Sequence, residues 1–160
     1  LPRPFAARQH TWWDNPDMAD SPKTYSVAGH CLAGGHAALV AGNHTVPVDA
    51  GWGVDPTGAP GPAELLAGAF AACLMKNLER SSKLMGFAYE TADLTVTARR
   101  QDSPPRFVEI TYEVRIATDE PDRRVQLLHR NLRQYGTVYN TLAAVCEISG
   151  NVLATGARAG

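Results

Sequence analysis

An α+β fold, with antiparallel sheets around one long buried helix, is predicted by three features of this sequence. The stretch following Pro62 carries Leu65, Leu66, Ala69, Phe70, Cys73, Leu74 and Leu78, which leaves little room for a polar face before Lys76. Two later runs alternate strictly with period two: Leu94, Val96 and Ala98 against Thr95, Thr97 and Arg99, then Val108, Ile110, Tyr112, Val114 and Ile116 against Glu109, Thr111, Glu113 and Arg115. Such alternation marks antiparallel strands with one wet face. The order of strands, buried helix, strand pair, helices and strand lacks the regular βαβ alternation of a parallel sheet.

The chain has 160 residues, the size of one domain. Residues 1–23 read as an N-terminal arm and 24–160 as the domain. Pro2, Pro4, Pro16 and Pro22 interrupt the arm, Asp14-Asn15-Pro16-Asp17 is turn chemistry, and Trp12-Trp13 offer area to anchor it on the body or on another subunit. Tyr25 to Asp49 carries strand signals, with turns at Gly34-Gly35 and Gly42-Asn43, and predicts two or three short antiparallel strands. Ala50 to Gly61 is a Gly- and Pro-rich loop, long enough to be functional. Pro62 opens the apolar helix, Glu64 suits its N-terminal dipole, and Gly86 ends it. Gln101 to Arg106 links the alternating strands. Pro121 begins a helix with the stripe Val125, Leu128, Leu132 and Tyr135, broken at Gly136. Val138 to Val145 reads as a short helix and Cys146 to Leu153 as a last strand, with Gly150-Asn151 a bulge or turn.

Composition excludes several classes. Fifteen Lys and Arg against sixteen Asp and Glu leave no basic field for nucleic acid or an anionic membrane surface. The longest apolar stretch, Leu65 to Met75, is short of the roughly 20 residues that cross a bilayer. No signal-peptide hydrophobic region is visible. Three cysteines without a CxxC argue against a disulfide framework and for a reducing, cytoplasmic setting. No nucleotide-binding or nucleophile-elbow motif occurs, so no cofactor is expected. His30, Cys31, His36 and His44 cluster without the fixed pair spacing of a zinc site, so no metal is expected.

The chemistry therefore rests on thiols. Free cysteine is usually a buried core residue, and reacts only where its thiolate is stabilised and reached by solvent. Cys31 and Cys146 lie in strand-like sequence, whereas Cys73 follows Ala71-Ala72 in the apolar helix.

The run Gly61-Pro62-Ala63-Glu64-Leu65-Leu66-Ala67-Gly68-Ala69-Phe70-Ala71-Ala72-Cys73-Leu74 resembles the central helix of the OsmC/Ohr family, the osmotically inducible and organic hydroperoxide resistance proteins. Leu32-Ala33-Gly34-Gly35-His36 looks like the family's first hairpin turn, Gly51 to Gly61 like its Gly-rich loop, and Gly136 to Leu142 falls where the family has C-P-V-S-x-x-L. The resemblance spans roughly residues 25–154. It implies an intertwined homodimer with central helices packed inside, and a thiol-dependent peroxidase that reduces organic hydroperoxides or hydrogen peroxide in oxidative stress defence. A peroxidatic cysteine becomes a sulfenic acid, a second cysteine resolves it, and an external dithiol reductant restores it.

By this resemblance Cys73 is the peroxidatic cysteine, with His36 and Glu64 as auxiliaries. Gly136 occupies the resolving position, His36 the position of the family's Arg, and Glu64 lies one place beyond its Glu. A histidine is only partly cationic near neutrality, and one helical step is about 100° of rotation. Resolution then falls to an external thiol, or to Cys146 or Cys31. Cys146 lies about 15 Å of helical travel beyond Gly136, against the 4.4–6.8 Å between Cα atoms in a disulfide. The alternative is a family member without peroxidase chemistry that binds a small apolar or thiol ligand in the dimer-interface pocket.

Overall fold

The computed structural model describes residues 23–156, so the expected arm lies almost wholly outside the described residues. Strands β1 (Ala28–Cys31), β2 (His36–Ala41) and β3 (His44–Asp49) form an antiparallel sheet in that order, with turns at the two predicted glycine pairs. Gly35 has φ of 90°, and a Cβ there would fall 2.3 Å from Gly51 Cα. The hairpin therefore meets the following loop backbone to backbone, and Ala50 N–H donates to Gly35 O at 3.1 Å. The three strands pack on one another, and none lies as a packed face against the helices or the second sheet.

Helix α1 (Pro62–Met85) starts and stops where its sequence signals say. The Glu64 carboxylate accepts the Gly61 N–H at 3.2 Å, and Gly86 closes the last turn in the left-handed conformation. Within the single chain the stripe Phe70, Leu74, Asn77, Leu78 and Ser81 is buried. Leu65, Leu66 and Cys73 are half-buried, while Ala69 and Met75 are exposed.

Strands β4 (Ala92–Asp102), β5 (Pro105–Ile116) and β6 (Glu147–Ala154) make the second sheet, in that order. β4 and β5 are antiparallel and turn at Ser103-Pro104, so the expected Gln101–Arg106 linker is mostly strand. β6 pairs in parallel with β5, which makes this sheet mixed rather than purely antiparallel. Gly150 is neither bulge nor turn. It sits in register opposite Tyr112, where a Cβ would lie 2.4 Å from the Tyr112 carbonyl oxygen and 2.5 Å from its ring.

Helix α2 (Asp122–Tyr135) packs against α1 and β6 and buries Val125, Leu128 and Leu132 in one core with Phe70, Leu74 and Leu78 of α1 and Ile110, Tyr112, Val114 and Ile116 of β5. Tyr135, expected in that stripe, is exposed; the Arg80 guanidinium lies 4.6 Å from its ring centroid. Helix α3 (Thr137–Ala143) follows directly on Gly136 and returns the chain to β6.

Candidate thiol site

Cys73 projects from α1 at the edge of the buried stripe, half-buried, and all three cysteines are free thiols. The α2–α3 junction stands over its sulfur. A Cβ on Gly136 would lie 3.2 Å from Cys73 Sγ. In a disulfide the Cβ of one cysteine lies about 3 Å from the other sulfur, given an S–S bond near 2.04 Å. Position 136 is therefore at bridging distance, but it holds no sulfur. It is also crowded: the same Cβ would meet Tyr139 Cβ at 2.8 Å and Leu132 O at 3.2 Å.

On its other flank Cys73 meets Asn77, one helical turn on and only 8% exposed. Asn77 Nδ2 donates to the Cys73 carbonyl oxygen at 3.0 Å and reaches Sγ at 3.6 Å. The buried amide thus holds both the backbone and the sulfur of Cys73 from one side. Sequence reasoning missed Asn77. The available signal was a polar residue four places after the cysteine on an otherwise apolar stripe.

His36 and Glu64 lie elsewhere in the single chain. His36 is exposed on β2, paired in register with Asp49. The Asp49 carboxylate accepts Gly51 N–H at 2.9 Å and Thr57 N–H at 3.2 Å, and its own N–H donates to Pro60 O at 3.0 Å. These bonds clip the loop to β3 and deliver Gly61 to the start of α1. Glu64 is engaged there in capping. Nine residues before Cys73, it is about 13 Å away along the axis and on the opposite side of the helix. Cys73 and Gly136 are thus brought together within one chain, and His36 and Glu64 are not brought to them.

Cys31 is exposed on β1, away from the helices. Cys146 is half-buried after α3, its thiol donating to Leu142 O at 3.2 Å, and burial pushes its pKa up. Among the described residues no group of three or more His, Cys, Asp or Glu is placed to hold a metal ion. No helix among them is long and apolar enough to cross a membrane.

Behind Gly136 lies an aromatic cluster. Tyr139 packs on Phe70 and Tyr112, with ring centroids 5.5 and 6.3 Å apart. Tyr112 Oη lies 2.7 Å from His129 Nε2, and Arg133 Nε donates to Tyr139 Oη at 3.1 Å. Burial pushes the Tyr112 phenol far above its ordinary value. Burial, and then the Arg133 charge, hold His129 below the usual imidazole range.

A family model described as OsmC-like protein matches residues 55–149, from the Gly-rich loop into β6. No curated protein matches the sequence. Solved structures share the fold. The chain is similar to an OsmC-like protein from Mycoplasma pneumoniae, at 17% identity and a TM-score of 0.73 over 86% of this chain and all of that one. It is similar to an organic hydroperoxide resistance protein OsmC from Legionella pneumophila, at 16% identity and a TM-score of 0.67 over 84% of this chain and 99% of the other. The organic hydroperoxide resistance protein OhrB of Bacillus subtilis follows at 16% and 0.59, over 81% and 98%.

Proposed function

The chain belongs to the OsmC-like protein family, and on that footing we propose that it reduces organic hydroperoxides or hydrogen peroxide through Cys73. The observation that carries the reading is the pairing of Cys73 with position 136. A half-buried free thiol on the central helix sits at bridging distance from the point where the family's resolving cysteine is expected. Two of the structural neighbours are described as organic hydroperoxide resistance proteins, which supports the same chemistry.

In this reading the Cys73 thiolate attacks the peroxide, takes one oxygen as a sulfenic acid, and releases the alcohol or water. Asn77 Nδ2 lies 3.6 Å from the reacting sulfur and fixes its position. Gly136 supplies no sulfur, so the sulfenic acid is resolved by an external thiol. Cys146 is a poor substitute, because its thiol is bound to the last turn of α3 and burial raises its pKa. His36 and Glu64 act at Cys73 only where a second copy presents them, since one chain keeps them apart. A homodimer fits the exposed flank of α1 and the unpacked β1–β3 sheet, which leaves Val27, Leu32, Val40, Trp52 and Val54 exposed. A reducing, cytoplasmic compartment suits an enzyme that works through free thiols.

Stopped-flow reduction of cumene hydroperoxide and hydrogen peroxide tests this directly. Wild type with excess small thiol should consume peroxide, and Cys73→Ser should fall to the buffer rate. Equal rates for the two would remove the peroxidase reading. The empty position at Gly136 would then favour the alternative, a pocket for a small apolar or thiol ligand.

A further inference from the structure

The C-terminal end of α2 carries a cleft of about 300 Å³, lined by Arg130, Arg133 and Gln134 of that helix and by Tyr139 of α3. No lining residue is acidic. We propose that this cleft binds a phosphate group, as inorganic phosphate or on a small phosphate monoester. The proposal goes beyond the peroxidase reading and draws on none of the residues that carry it.

The sequence sets up the face. Arg130, Arg133 and Gln134 stand at i, i+3 and i+4, the spacing that gathers side chains on one side of a helix. Neither arginine joins an ion pair among the described residues, although five other basic side chains do. Two positive charges therefore share one surface with no carboxylate to offset them. The Arg133 charge is felt as far as His129, whose imidazole is held below its usual range by burial and then by that charge.

The tertiary structure orders the face. Arg133 Nε donates to Tyr139 Oη at 3.1 Å, so its guanidinium is aimed by a side chain only 6% exposed. Tyr139 is fixed in turn by the rings of Phe70 and Tyr112. The bond to Arg133 uses the Tyr139 oxygen as acceptor and leaves its proton to donate. The Gln134 carbonyl, which would repel an anion, accepts Asn140 Nδ2 at 3.1 Å.

The cleft thus offers donors and positive charge: two guanidinium groups, a phenolic O–H and a side-chain amide. A phosphate group matches this set better than a carboxylate does. It carries the charge for two arginines, and its oxygens point in several directions, so each guanidinium can take a pair of them. The volume admits such a group with a small substituent.

Titration of the full chain with inorganic phosphate at constant ionic strength tests the site without peroxide, so its outcome is separate from that of the peroxidase assay. Backbone amide shifts of residues 130–140 report binding. They should move saturably with phosphate and much less with acetate. Arg130→Gln, an exposed change, should weaken binding about three- to tenfold, and Tyr139→Phe, which keeps the ring and removes the hydroxyl, by a similar factor. Arg123→Gln, an exposed arginine of α2 outside the cleft, should leave the affinity unchanged. Glycerol 2-phosphate binding as well as inorganic phosphate would identify a monoester as the ligand, and its exclusion would identify free phosphate. Shifts that do not saturate, acetate binding as tightly as phosphate, undiminished affinity in Arg130→Gln, or an equal loss in Arg123→Gln would each overturn the proposal.

Discussion

At the scale of single residues, the thiol site is built from two neighbours that one chain supplies. Asn77 is buried within reach of Cys73 Sγ, and its amide holds the sulfur in place. Asn77→Ala, which removes the amide at the sulfur, should therefore change the alkylation rate of Cys73 by about three- to tenfold. Monobromobimane labelling in the Cys31→Ser/Cys146→Ser background reads this, and an unchanged rate in Asn77→Ala would deny the residue a role. His129 gives a stability prediction. Burial and the Arg133 charge lower its pKa in the folded chain, so the unfolded chain binds the proton more readily. The stabilisation is complete above the unfolded value of about 6.5 and is lost as pH falls through it toward the folded value. The urea midpoint should decline between pH 7 and pH 5, and His129→Gln, which retains a partner for Tyr112, should decline less. Parallel curves for the two proteins would refute this.

Among the elements, β6 shows how one small residue sets a strand's position. Its parallel pairing with β5 puts Gly150 against Tyr112, whose ring reaches Phe70, Tyr139 and His129. A Cβ at 150 cannot fit without moving the Tyr112 backbone or ring. Gly150→Ala should therefore cost about 1–3 kcal/mol by overpacking, whereas exposed Asn151→Ala on the same strand should stay within about 0.5 kcal/mol. Denaturant midpoints of the two variants check this, and similar values would mean that the contact is easily relieved. Helix α1 is legible from sequence because its signals are local: Pro62 and Glu64 at the start, Gly86 at the end. The parallel pairing of β6 was not legible. Strand direction depends on how α2 and α3 return the chain, and hydrophobic alternation is the same for either direction.

The described residues divide into a packed body and a sheet that finds no packed face on it. The body holds α1, α2 and the β4–β5–β6 sheet around one core. The β1–β3 sheet is tied to it through Asp49, Gly35 and the loop to Gly61. An apolar helix flank and an unpacked sheet together predict self-association, with an interface of the large, obligate kind. Sedimentation at micromolar concentration should show a species of twice the 17.2 kDa chain; a stable single-chain species would refute it. By itself the sequence determined the α+β class, the three helices and the strands after α1 to within a few residues, and Cys73 as the candidate nucleophile. These follow from periodicity, caps and turn glycines, which act over a few residues, and from a resemblance carried by a contiguous motif. Only the tertiary structure decided that position 136 stands at bridging distance from Cys73 and that Asn77 reaches the sulfur. It also kept His36 and Glu64 at the far end of α1. Such juxtapositions join residues distant in sequence, and they are set by how the elements pack, which no local pattern encodes.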